Sequence, residues 1–196
     1  MIEIRKGKYK NLSMKIDDNL SIIVKAPNRI GDEKIVEFIN KHKNWIKTHQ
    51  ERILNLKEKL KEYDFKNNVY IFDNPTCCIN KNKFEIYKQL FSEIISDLVE
   101  KLSYETSISY NSLKSINSKR VWGSMDKNKN MRLNLKITLL PKEIVEYIII
   151  HELCHTIYFN HSKQFWNQVN NFCPNFKECN KKLKEYSFLL RENIFS

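Results

Sequence analysis

The run His151-Glu152-Leu153-Cys154-His155, with His161 just downstream, holds the side chains best suited to chemistry. Histidines at i and i+4 stand one helical turn apart, so their imidazoles project from one face. Two neutral imidazoles held this way form half of a tetrahedral zinc shell. Glu152 points about 100° round the helix from His151. From there it can reach a metal-bound water without being a ligand, as a general base must. The pattern is H-E-x-x-H, that of zinc hydrolases. His161 is the best third ligand, because Asn160 can terminate the helix and let the chain bend back. Three of the five histidines fall within this one short stretch, a clustering that outweighs the chance rate of a five-residue match. His42 and His49 sit in a basic helical stretch and read as solvated surface residues. Cys154 could compete as a soft ligand, but it projects from a different stripe and reads as core.

A site of this kind needs rigid supports. Upstream, Ile144, Val145, Ile148 and Ile149 form a buried helical stripe leading into His151, with Pro141 at the start of the helix. Leu153 and Ile157 continue its apolar side. Downstream, Ser162 is placed to cap a helix over Lys163–Phe172, with Phe165, Trp166, Val169 and Phe172 at helical spacing. The run Met131-Arg132-Leu133-Asn134-Leu135-Lys136-Ile137 alternates with period two and predicts a half-buried strand. Such a strand is an ordinary member of a sheet or, at a sheet edge beside the metal, one that binds an extended peptide by main-chain hydrogen bonds, and the two roles are compatible.

Elsewhere, residues 1–26 predict a small antiparallel sheet whose hairpin turns at Asp17-Asp18-Asn19. A helix follows with Asp32 as N-cap, breaking near Lys41-His42-Lys43 and continuing through Leu54, Leu56 and Leu60. Val69-Tyr70-Ile71-Phe72 reads as a strand ended by Asp73-Asn74-Pro75. Residues 84–104 read as a long amphipathic helix whose wide apolar stripe packs on a sheet. Segments 107–110 and 113–116 are short strand candidates, and 175–195 a charged final helix. The fold class is α+β, with an N-terminal hairpin-and-helix subdomain at 1–80 and a catalytic core at 81–196, or one continuous domain over 1–196.

The chain has 196 residues, enough to bury a sizeable core, and its hydrophobic content of 41% excludes disorder as the default. Its net charge of +11 is spread along the chain and carried mostly by lysine. That distribution fits a general Lys/Asn/Ile bias better than a nucleic-acid surface. No stretch predicts a signal peptide or a membrane span. The five cysteines, an odd number, form no paired C-x-x-C framework, so a reduced cytoplasmic chain is expected. Cys77 and Cys78 are adjacent and poorly placed to bond to each other. Cys173 and Cys179 read as small buried hydrophobes.

Arg120-Val121-Trp122-Gly123-Ser124, the Asn/Lys turn, Met131-Arg132-Leu133-Asn134, the H-E-x-x-H run, Asn160-His161-Ser162 and Phe165-Trp166 together resemble the YgjP-like metallopeptidases. These are related to the SprT-like and WLM zinc peptidases. The N-terminal hairpin ending Val24-Lys25-Ala26-Pro27 and the helix with Trp45-Ile46 are similar too. The resemblance covers most of the chain and is densest over 119–186. It implies a zincin-like catalytic core, a zinc ion on His151, His155 and His161, and Glu152 as catalytic base. Two features depart from the family: Met125 stands where a cysteine usually follows W-G-S, and residues 64–82 are short and divergent.

The expected function is zinc-dependent hydrolysis of peptide bonds by an endopeptidase acting on peptide or protein substrates. Tyr158 is a candidate oxyanion donor or else a partly buried aromatic; Arg120 and Trp122 are candidates to shape the cleft, with Trp122 alternatively in the core. Two alternatives compete: a nucleic-acid-associated zinc-binding module, and, by analogy with SprT-like relatives, a protease of DNA-linked proteins.

Overall fold

The computed structural model describes residues 1–17, 19–77 and 82–195, with backbone only at Leu56, Leu60 and Cys77. Asp18 and Cys78, which bear on the expected hairpin turn and the adjacent cysteine pair, lie outside the described residues. The chain divides into two compact units, Met1–Tyr63 and Asp64–Ser196.

In the first unit, β1 (Ile2–Gly7), β2 (Ser13–Ile16) and β3 (Ile22–Pro27) form a sheet in the order β1-β3-β2. The β2–β3 hairpin is the expected one. The left-handed residue in its turn is Leu20 (φ 64°), and the Asp17 carboxylate accepts from the backbone N–H groups of Asn19 and Ser21. The sheet is mixed rather than antiparallel: β1 lies parallel to β3 along its full length. Two helices follow, α1 (Asp32–Lys41) and α2 (Lys43–Lys61). Gly31 occupies the N-cap and Asp32 is the first helical residue, where its charge still favours the positive end of the helix dipole. Ile22, Val24, Ala26, Ile35 and Ile46 form the core of this unit, with Met14, Ile16 and Phe38 packed against it. His42 and His49 are half-buried rather than freely solvated, and each sets its Nδ1 against the carbonyl four residues earlier.

The second unit opens with a hairpin, β4 (Asn68–Ile71) and β5 (Asn74–Cys77). The expected strand ends at Ile71, and Asn74-Pro75 open a second strand. Phe72 and Asp73 make a two-residue turn at φ 51° and 65°, and the chain returns as a strand through Pro75. The hairpin belongs to this unit by its bonds: Tyr70 N–H donates to the Tyr87 hydroxyl at 3.1 Å and Phe72 N–H to the Thr138 carbonyl at 2.7 Å. Next come α3 (Lys83–Leu90), a wider π turn at Phe91–Ile95, and α4 (Ser96–Thr106), together one continuous helix. Its stripe does not pack on a sheet: α4 lies against α5 (Lys142–Cys154), and α3 lies against a 3-10 turn at Leu135–Leu139. Ser107 takes a left-handed conformation that caps α4, so 107–110 is a helix exit and not a strand.

A second mixed sheet comprises β6 (Ser112–Ile116), β7 (Gly123–Met125) and β8 (Asn130–Asn134), in the order β6-β8-β7. The alternating run thus supplies the central strand, and β7 is an edge strand. The run also stops being a strand at Asn134. The side chain of Asn134 accepts from Lys136 N–H, which starts the 3-10 turn and buries Leu135, Lys136 and Ile137 together.

Helix α5 is enclosed by α4, β7, α6 (Lys163–Phe172) and α7 (Phe176–Glu185). A helix covered on several sides must be apolar around most of its girth, and nine of its thirteen residues are buried. After α7, a 3-10 turn at Tyr186–Phe188 and further turns replace the expected continuous final helix. Together the two units make an α+β architecture. Among the described residues no helix is long and apolar enough to cross a membrane.

Candidate metal and active site

Helix α5 ends at Cys154, and His155 is its C-cap, five residues before Asn160. The second histidine of the motif therefore sits on the last turn, where the chain can leave at once. Ile157 falls in the exit loop and is exposed, not a continuation of the apolar side. Asn160 shapes the loop instead: its side-chain carbonyl accepts from Ser162 N–H at 3.2 Å. Ser162 then caps α6 by accepting from Phe165 N–H at 3.3 Å. These local bonds return His161 to the helix it left.

The structure brings His151, His155 and His161 together. One ring nitrogen from each lies within 4.8 Å of the others, and Nε2 of His161 is 3.0 Å from Nε2 of His151. Tetrahedral Zn–N bonds of ~2.05 Å imply nitrogens ~3.3 Å apart, so small ring shifts would complete a shell. His155 Nδ1 lies 2.9 Å from the Tyr158 carbonyl, an arrangement in which Nδ1–H donates and Nε2 keeps its lone pair for a metal. Nδ1 of His151 is buried without a hydrogen-bond partner. Burial above all, then its two neighbouring imidazoles, lower the pKa of His151 to about 3; burial also lowers that of His155. These two rings are thus neutral at neutral pH, the form that binds cations.

Aromatic rings hold the histidines from behind. His155 stacks on Phe165 with centroids 4.5 Å apart, and His161 stacks on Trp166 at 5.4 Å. Trp166 in turn stacks on Phe176 of α7 at 5.3 Å. Beneath His151, Tyr147 meets its ring edge to face. Helical spacing marked Phe165 and Trp166 as apolar; their place behind the imidazoles follows only from the loop geometry.

Glu152 is 7% exposed, and burial raises its carboxyl to a pKa of about 8. It shares a cleft of about 330 Å³ with Gly123, Ser124, Met125, His151, His155, Phe159 and His161. The edge strand β7 therefore forms one wall and the H-E-x-x-H turn the other. Larger clefts lie in the first unit, one lined by 29–34, but no group of metal-binding side chains accompanies them among the described residues.

Several supports escape a sequence reading. Asn134, fully buried, donates from Nδ2 to the carbonyls of Ser118 and Val121 and from its backbone N–H to that of Trp122. It thereby fixes the loop that leads into β7. Trp122 is buried and Arg120 exposed. Tyr158 contributes its carbonyl to His155, and its ring is not among the residues lining the cleft. Cys154, Cys173 and Cys179 are buried free thiols, as expected.

No curated protein matches this chain. Two solved structures are similar. The crystal structure of the metallopeptidase zymogen of Pyrococcus abyssi abylysin is 24% identical with a TM-score of 0.44, the match covering 50% of this chain and 98% of that one. That of Methanocaldococcus jannaschii jannalysin is 28% identical with a TM-score of 0.41, covering 47% and 96%. The family model of the YgjP-like metallopeptidase domain matches residues 10–83 and 78–186. With most of its length spanned by that model, the chain belongs to the YgjP-like metallopeptidases, a family of metal-dependent peptide hydrolases.

Proposed function

We propose that the protein is a zinc-dependent endopeptidase in which His151, His155 and His161 hold the ion and Glu152 is the general base. One observation carries this reading: three ring nitrogens converge, and no fourth protein donor joins them among the described residues. A purely structural zinc site closes its shell with four protein ligands, whereas a hydrolytic site leaves one position open. When bound, Zn²⁺ acidifies water to a pKa of about 7, polarises a carbonyl and, as a nearby positive charge, favours the ionised form of Glu152.

The chain's own residues supply the rest. The Glu152 carboxylate accepts the proton of the attacking water and passes it to the leaving amine. The outer edge of β7, unpaired in the sheet order, offers main-chain groups to an extended substrate across the cleft from Glu152. The nucleic-acid alternative has no comparable observation behind it.

The test is paired substitution. Glu152→Gln keeps one zinc per chain while lowering kcat about 10²–10⁴-fold on a denatured protein substrate. His161→Ala weakens zinc binding, measured by competition with a chelating dye. Cleavage by Glu152→Gln at the wild-type rate would refute the assignment of the base.

A further inference from the structure

We propose that Gly123 is a positioning residue for Glu152: the bare Cα of β7 is what admits the carboxylate to its place in the cleft. This inference rests on Glu152 being the base. A Cβ built on Gly123 would lie 2.8 Å from both Cγ and Oε1 of Glu152. Side-chain carbons do not approach other heavy atoms so closely, so one of the two groups must move. Glu152 is buried, with Leu153 and Cys154 beside it fully enclosed, so its main chain has little freedom to retreat. Gly123 itself does not have a positive φ, so the need for glycine is one of close approach and not of backbone conformation. The same hypothetical Cβ would sit 3.0 Å from Cδ2 of Leu133, the facing residue on β8. The Leu133 contact involves the end of a flexible chain and is slightly longer. Glu152 therefore sets the tighter limit.

Gly123→Ala thus swings the carboxylate out of line while leaving the three imidazoles untouched. A misplacement of about 1 Å at a reacting group costs on the order of 100-fold in rate. The loss falls on kcat, with KM changed less than about threefold, because the peptide-binding edge keeps its main chain.

The experiment compares Gly123→Ala, Glu152→Ala and the double variant, reading the melting temperature of the metal-stripped proteins, zinc stoichiometry and steady-state kinetics. Gly123→Ala is expected to lower the melting temperature in the wild-type background and not in the Glu152→Ala background. It should retain one zinc per chain and lose about 100-fold in kcat. An equal drop in both backgrounds, or failure to fold in both, would assign the clash to Leu133 and overturn the proposal, as would wild-type turnover by Gly123→Ala. Failure of the peptidase reading would look different: an inactive wild type or an active Glu152→Gln, with the melting comparison unaffected.

Discussion

In the metal-stripped protein Glu152 is a buried acid, and its burial makes stability depend on pH. A carboxyl whose folded pKa exceeds its unfolded value contributes fully below the unfolded pKa and loses that contribution as pH rises through the folded one. For Glu152 the window runs from 4.5 to about 8. His151 is depressed, so its contribution is present above 6.5 and is lost as pH falls toward about 3. His155 runs in the same direction as His151. The slopes oppose one another below pH 6.5, and above it the Glu152 slope stands alone among the three. Between pH 6.5 and 8 this slope should cost the stripped wild type about 1.6 kcal/mol. Glu152→Gln should remove that loss, as measured by urea unfolding with a chelator present. Identical slopes in the two proteins would mean that Glu152 is not the buried acid. At this scale the sequence was legible where spacing alone decides direction: i and i+4 put His151 and His155 on one face, and a single step placed Glu152 off it. Gly123 was not legible as a support, because its value lies in a side chain that approaches it from residue 152. The Tyr158 carbonyl was hidden for a similar reason, since any residue could supply it.

The elements around the site fix ring orientation, and α6 does most of this. Two consecutive residues, Phe165 and Trp166, face two different histidines because His155 lies at the end of α5 and His161 at the start of the next segment. Hydrogen-bonded partners of metal ligands typically change metal affinity 10–100-fold, and a stacked ring that orients a ligand belongs at the low end, so Trp166→Ala should weaken zinc binding about tenfold. Trp166 also reports directly. Co²⁺ added to the stripped protein should quench tryptophan emission, and Trp166→Phe should abolish most of that response while keeping one metal per chain. Quenching undiminished in Trp166→Phe would show that the ion does not lie beside Trp166. The helices around the site were readable from apolar periodicity, as was the Ser162 cap. The strand over 131–137 was half right: period two held to Asn134, whose side chain then bonds Lys136 N–H and turns the backbone. Lys136 falls on the polar side of that alternation, yet it is 2% exposed. Its ammonium donates to the carbonyls of Leu190 and Glu192 at 2.8 and 2.6 Å, tying down the C-terminal segment. Lys136→Met should leave both carbonyls without that donor and cost about 3 kcal/mol in urea unfolding, with zinc stoichiometry unchanged.

At the scale of the whole molecule, the three converging histidines, Glu152 and their supports lie within Asp64–Ser196. Met1–Tyr63 has a sheet, two helices and a core of its own. We propose that the units are separate domains. Composition gave no linker to mark the division, because the charged character of α2 runs on past its end. The boundary depends instead on where the β4–β5 hairpin finds its partners, and both are distant in sequence. Tyr87 is fully buried, and its hydroxyl accepts from Tyr70 N–H; the Thr138 carbonyl, on a turn 1% exposed at that residue, accepts from Phe72 N–H. Removing the hairpin would remove these two donors and uncover the core behind Val69 and Tyr70, which are themselves buried. Each lost hydrogen bond costs about 1 kcal/mol, and the lost apolar cover adds to it. A fragment of residues 64–196 should therefore fold cooperatively and bind one zinc with the affinity of the full chain. A fragment of residues 81–196 should be several kcal/mol less stable, or fail to melt as a single transition. Circular dichroism melts and zinc titration of the two fragments separate these cases. Equal stability would show that the hairpin adds nothing to the catalytic unit and that the division belongs near residue 80.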